Sequence, residues 1–213
     1  MMALSTLQKI SVYVIPLIFA ITFHEAAHAY VAYRRGDLTA KSMGRLSINP
    51  LHHIDLVGTI IFPLIGIVMG GVIFGWAKPV PINFGNLHNP KRDLLWVALA
   101  GPLANLAMAL IWALALKLSL YCGSYFGTPL NLMAQAGISI NISLMILNLL
   151  PILPLDGGRI IFSLLPFKYA IIFGRTERYG IWILIFLLLL GGLTYIIQPV
   201  YIVIVDWVLS LIS

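Results

Sequence analysis

Charge and cysteine are the two things this chain has least of. Lys and Arg number 13 and Asp and Glu 7, together 9% of 213 residues. A water-soluble domain carries about 25%. That deficit excludes an ordinary soluble surface, because only a surface facing lipid can dispense with so much charge. Cys122 is the single cysteine, which excludes an internal disulfide framework and every zinc site built from several cysteines. Glutamate occurs only at Glu25 and Glu177. No internal repeat, low-complexity tract or soluble appendage is visible, so residues 1–213 read as one membrane domain. What is abundant is apolar: 61% of the residues are hydrophobic and the mean hydropathy is +1.00. A net charge of +6 does not point to nucleic acid, because the basic residues stand in short connectors where membrane topology explains them.

Apolar stretches near the spanning length occur at 10–33, 56–75, 94–121, 132–150 and 181–197, with a tail at 200–212. Four of these read as spans; 56–75 and the tail stay open. Lys9 ahead of an apolar run resembles a secretory signal, but the run lacks a small-residue cleavage site and holds the chain's most chemically loaded residues, so a retained transmembrane helix is expected. The connector 122–131 has no Lys or Arg, whereas 34–55, 76–93 and 166–180 each carry several. By the positive-inside bias the first is external and the others cytoplasmic. Segment 56–75, with Gly58, Pro63, Gly66, Gly70 and Gly71, therefore either re-enters on the cytoplasmic side or spans as a weakened helix. Residues 75–83, GWAKPVPIN, read as extended, as an interfacial strand or hairpin. Trp76, Trp96, Trp112, Trp182 and Trp207 read as interface anchors or lipid-facing bulk. The expected fold is an all-α membrane protein: a polytopic helical bundle of about five or six membrane segments, broken near Asp156.

His24-Glu25-Ala26-Ala27-His28 lies inside the first span. The i, i+4 spacing brings both imidazoles to one helix face, where they can hold one metal ion, and Glu25 stands close enough to take a proton from a metal-activated water. With five His and two Glu in the chain, a chance match has odds of roughly one in a thousand. Ionisable groups inside a span are costly and mark a site. A polar patch gluing helices, or a proton relay, is the bland alternative for the same triple.

A tetrahedral zinc site needs a third protein ligand and an open position. Asp37, Asp55 and Asp93 belong to charged connectors and Asp206 to the tail. Asp156 alone lies in an apolar stretch with unusual backbone chemistry, Asn148-Leu-Leu-Pro-Ile-Leu-Pro-Leu-Asp156-Gly-Gly-Arg159, where two prolines and two glycines forbid a continuous helix. Non-helical backbone at membrane depth is tolerated only inside the protein or against water, so this break is expected to present the carboxylate to a wet cavity.

A first-helix HEAAH followed by NLLPILPLDGGR resembles the site-2 protease family of intramembrane zinc metalloproteases. Further stretches are similar to short members of that family: Asn49-Pro50 with His53-Ile54-Asp55 and Gly58-Thr59, then GWAKPVPIN, then Ala100-Gly101-Pro102-Leu103-Ala104-Asn105. The likeness runs from about residue 20 to 165; the sequence reads as a short form, without the PDZ and CBS domains and the full span before the zinc-binding helix of larger members. The resemblance implies that His24, His28 and Asp156 bind Zn2+ and that Glu25 activates water, the same four residues that spacing reaches. It also implies regulated intramembrane proteolysis of transmembrane-segment protein substrates, after a prior cut by another protease.

On this reading Asn148, just before the break, donates to the developing oxyanion or holds unwound substrate backbone. Asn105 is a substrate-site candidate, with a helix-packing hydrogen bond as its alternative. His52 and His53 read as connector histidines, and Arg159 as a snorkelling anchor. At about 1.5 Å per residue, His28 lies roughly 9 Å and His24 roughly 15 Å from Arg34, which places the metal in the cytoplasmic half of a cell membrane crossed several times. The expected partners are protein substrates and the bilayer, with no nucleic acid; the oligomeric state is open. A proton- or metal-coupled transporter and a catalytically silent scaffold are the competing functions.

Overall fold

The computed structural model describes residues 5–55, 58, 61 and 78–212. Among the described residues there are eight α-helices and no strand. The open course of 56–75, and Trp76 with its neighbours, lie outside them. Residues 78–83 are extended but unpaired with any strand, because two prolines in six residues remove ladder donors.

Helix α1 (Thr6–Arg34) starts from a capping box in which Ser5 and Gln8 satisfy each other's backbone N–H groups, at 3.3 and 2.9 Å. A one-turn α2 (Thr39–Ser42) follows. Helix α3 (Pro90–Ser119) starts with proline at its first position, where the missing N–H costs nothing. Four residues separate the end of α3 from the start of α4 (Ser124–Asn148). The expected ten-residue connector 122–131 is thus a tight turn. Pro129 falls in the second turn of α4, where it removes the one ladder bond that its N–H would have made to the Tyr125 carbonyl.

After Asn148 the chain breaks as expected and resumes as α5 (Asp156–Leu164), α6 (Phe167–Gly174) and α7 (Glu177–Leu189), ending in α8 (Gly192–Ser210). The span expected at 181–197 is not one helix. Gly191 has φ +70, a left-handed conformation that glycine adopts without strain, and it ends α7 after 13 residues. The tail joins α8 instead. Among the described residues four helices are long and apolar enough to cross a membrane: Ile10–Arg34, α3, α4 and α8.

Helices α1, α3 and α4 form the core. Ala20, Ala29, Ala32, Ala109, Ala113 and Ala134 are wholly buried, and such small residues let helix backbones approach closely where lipid supplies no hydrophobic drive. Ile138, Ile142, Met145 and Ile146 of α4 pack with Ala109 and Ala113 and with Val208 of α8. Trp112 is not an interface anchor: its ring fills the space left by Gly137, so that it joins α3 to α4. Trp182 and Trp207 face outward. Phe186, Leu189, Tyr195 and Val203 of α7 and α8 are likewise exposed, as lipid-facing residues are.

The connector aspartates are structural. Asp93 accepts from Arg35 at 3.2 Å and from the Asn89 N–H at 2.8 Å. Asp37 is fully buried: Oδ1 accepts from Thr39 N, Thr39 Oγ1 and Asn86 Nδ2, and Oδ2 from Asn83 N. Together they fasten the C-terminal end of α1 to residues 83–93. His53, expected at the interface, is also fully buried and donates from Nε2 to the Ser47 carbonyl at 2.7 Å.

Candidate metal centre

His24 and His28 stand one turn apart on the buried face of α1, and Asp156 reaches them as the first residue of α5. The helix phase brings the imidazoles together. The break after α4 turns the chain so that the carboxylate meets them. The two Nε2 atoms are 3.1 Å apart, and each is 3.3 Å from Asp156 Oδ2. Among the described residues this trio forms a group of potential ligands whose donor atoms lie within 4.8 Å of one another.

The outer nitrogens explain the orientation. His28 Nδ1 lies 2.7 Å from the Val97 carbonyl, and His24 Nδ1 lies 2.7 Å from Asn105 Oδ1. A carbonyl oxygen only accepts, so each Nδ1 carries the hydrogen and each Nε2 presents a lone pair. Two lone pairs and a carboxylate oxygen then crowd one point with no proton between them, an arrangement that repels unless a cation occupies the centre. Asp156 Oδ2 is buried and receives no hydrogen bond of sound geometry. Bonds of about 2.0–2.1 Å in a tetrahedron set ligands about 3.3–3.4 Å apart, close to the separations observed. The donor set therefore fits Zn2+.

Gly101 of α3 passes beneath the imidazoles. A Cβ built there would stand 2.3 Å from His28 Nε2 and 2.5 Å from His24 Cε1, so only glycine lets α3 pass this close.

A cavity of about 230 Å³ opens beside the trio, lined also by Glu25, Asn148 and Arg159. Glu25 is half-buried, and its Oε2 accepts from the Val80 N–H at 2.8 Å. Asn148 is on the cavity wall and spends one of its two N–H groups on the Leu144 carbonyl at 3.0 Å. Asn105 does not reach the cavity: it is wholly buried behind His24 and donates to Ala20 O and Asn141 Oδ1. Arg159, read from the sequence as a snorkelling anchor, also lines the cavity. Its Nε donates to the Pro154 carbonyl at 3.2 Å and its guanidinium lies over the Phe84 ring, 4.9 Å from the centroid, at the cavity's edge.

Val97, Gly101, Val80 and Asn141 have no site role in the sequence reading, although Gly101 and Val80 lie in stretches it names. Val97 and Val80 act through backbone atoms, which no residue type announces. Gly101 carried a signal, since it belongs to the Ala-Gly-Pro stretch.

The model for peptidase family M50 matches residues 123–191, from the turn before α4 to the end of α7. The chain is 40% identical over 192 residues to "Putative zinc metalloprotease YwhC" of Bacillus subtilis, covering 87% of this chain and 84% of the relative. It is 31% identical over 145 residues to "Putative zinc metalloprotease Rip2" of Mycolicibacterium smegmatis, covering 66% of this chain and 52% of the relative. Rip2 of Mycobacterium tuberculosis is 30% identical over 142 residues, covering 65% and 51%. The chain thus spans about half the length of the Rip2 proteins. No solved structure matches.

Proposed function

Since the chain belongs to the site-2 protease family, peptidase family M50, and is a zinc metallopeptidase with an all-α membrane fold, we propose that it hydrolyses peptide bonds within or near transmembrane segments of other membrane proteins. The observation that carries this reading is the triangle of His24 Nε2, His28 Nε2 and Asp156 Oδ2 with the Glu25 carboxylate on the wall of the same cavity. His24, His28 and Asp156 would hold the ion. Bound zinc supplies Lewis acidity toward a water molecule and the scissile carbonyl.

Glu25 accepts the proton of the attacking water and returns it to the leaving amine. The Val80 N–H ties one carboxylate oxygen and leaves the other for that proton. Asn148, on the cavity wall with one N–H not spent on the Leu144 carbonyl, donates to the oxyanion or to a strand of substrate. The substrate must unwind to enter, because a hydrogen-bonded helix shields its carbonyls.

We place the active site in the cytoplasmic half of the cell membrane, as in regulated intramembrane proteolysis. Supporting this, the cavity adjoins the end of the bundle where Arg35 pairs with Asp93, Lys91 reaches the Leu165 carbonyl and Arg159 stacks on Phe84. Basic residues concentrate on the cytoplasmic side.

The test pairs metal analysis of detergent-purified protein with cleavage of a transmembrane peptide, comparing the parent with Glu25→Gln. The expected result is zinc in both proteins and cleavage only in the parent, with turnover falling at least about 10²-fold when the base is lost. Equal turnover in the two would reject Glu25 as the base.

A further inference from the structure

We infer that Asn141 of α4, which makes no hydrogen bond to a metal ligand and does not line the cavity, sets the tautomer of His24 through Asn105 and so positions that imidazole for zinc. The inference rests on the zinc reading above and extends it to a residue two hydrogen bonds from His24. Asn141 and Asn105 are both wholly buried, and they form one chain with His24. Asn141 Nδ2 donates to the Gly137 carbonyl at 2.8 Å, Asn105 Nδ2 donates to Asn141 Oδ1 at 3.0 Å, and Asn105 Oδ1 lies 2.7 Å from His24 Nδ1.

The polarity of this chain is dictated from its far end. Gly137 O can only accept, so Asn141 must turn its amide nitrogen there and its oxygen toward Asn105. Asn105 must then offer nitrogen to Asn141 and oxygen to His24. A second carbonyl, Ala20 O on α1, imposes the same orientation, because Asn105 Nδ2 also donates to it at 3.2 Å. Two backbone acceptors from different helices therefore agree on one direction. With Asn105 presenting oxygen, the His24 hydrogen is held on Nδ1 and the Nε2 lone pair faces the metal point. The reverse orientation would set three oxygens against one another and put the hydrogen on Nε2, where it would block the ion.

His28 needs no such relay, since the Val97 carbonyl fixes its tautomer directly and no side-chain substitution removes it. The two ligands are thus secured differently: one by backbone, the other by a pair of asparagines joining α1, α3 and α4. Buried partners of this kind tune metal affinity by about 10–100-fold.

The test measures the zinc Kd of the full-length protein by chelator competition, in the parent, Asn141→Leu, Asn105→Leu and the double variant. Asn105→Leu is expected to weaken zinc binding by about 10–100-fold, and Asn141→Leu by a smaller factor, about threefold to tenfold, because Ala20 O still orients Asn105. In a serial relay the double variant binds no more weakly than Asn105→Leu alone. Factors that multiply, or an Asn141→Leu Kd equal to the parent's, overturn the relay. Should a leucine variant not fold, Asn141→Ala is compared with the parent by nitrogen NMR of isotope-labelled histidine in the zinc-free protein. His24 is expected as the Nδ1–H tautomer in the parent and as a mixture in the variant, and an unchanged tautomer overturns the relay. A folded parent that binds no zinc overturns the metal reading and the relay together, whereas a zinc-binding parent with an insensitive Asn141 overturns the relay alone.

Discussion

Glu25 is held by a backbone group that a side-chain search does not reveal. Val80 stands between Pro79 and Pro81, neither of which has an N–H, so it is the only donor of that tripeptide, and it is aimed at Glu25 Oε2 at 2.8 Å. A hydrogen bond to one carboxylate oxygen fixes the plane of the group and the direction of the other oxygen. Val80→Pro removes the donor while keeping the extended backbone that a residue before proline prefers. Turnover of a transmembrane peptide is expected to fall about tenfold, a part of the 10²–10⁴ that a positioned base supplies, with zinc content unchanged. Wild-type turnover in that variant would show that the N–H does not orient the base.

At the scale of the element, α3 is the platform on which the metal centre rests. It gives Val97 O to His28 and Asn105 to His24, and at Gly101 it lets both imidazoles lie against its backbone. Gly101→Ala inserts a methyl group where Nε2 of His28 stands. Overpacking of this sort costs about 1–3 kcal/mol, and the imidazoles are the side chains that must move. Zinc content after dialysis is therefore expected to drop in Gly101→Ala while helix content by circular dichroism stays constant; full occupancy would show that α3 can retreat.

The link from α1 to residues 83–86 is the second device of this scale. Burial alone would raise the Asp37 carboxyl, but hydrogen bonds from the Thr39 hydroxyl and N–H, the Asn83 N–H and the Asn86 amide outweigh it and hold the group below the usual carboxylate range. A carboxyl lowered on folding stabilises the protein above its unfolded value, about 3.9, and that contribution fades as pH falls through the lower folded value. Asp37→Asn should melt earlier than the parent by an equivalent of about 1.5–3 kcal/mol. The gap in melting temperature should be steady from about pH 8 to 5 and narrow only below about 4. A gap that already closes near pH 6 would assign it to another group.

At the scale of the whole molecule, what could be read from the sequence follows from which interactions are written in residue types. Helix phase and motif spacing are local, so the pairing of His24 with His28, and a break that delivers a carboxylate at Asp156, were legible in sequence, and the structure brings these three together. The trade of 181–197 for α8 was not legible, because apolar composition on both sides of Gly191, Leu-rich before it and rich in Ile and Val after it, hides where one helix stops. Nor were the roles of Asp37, Asp93 and His53, which depend on the Asn83 N–H and the Arg35 side chain reaching Asp37 and Asp93 from far along the chain, and on the turn that brings the Ser47 carbonyl to His53. Connectors rich in charge look solvated in sequence even when their carboxylates are buried.

The direction in which the bundle crosses the membrane can be tested with the chain's own chemistry. Cys122 is its single cysteine, free and partly exposed, in the turn between α3 and α4, at the end of both helices opposite to the Arg35–Asp93 pair. If the basic end is cytoplasmic, that turn is external. An impermeant thiol reagent added to intact cells should then label the unmodified protein. A variant carrying Cys122→Ser and Arg175→Cys moves the thiol to the exposed segment between α6 and α7, and it should be labelled only after lysis. The inverse pattern would turn the bundle over and place the zinc cavity on the outer side, where cleavage would release fragments outward rather than into the cytoplasm.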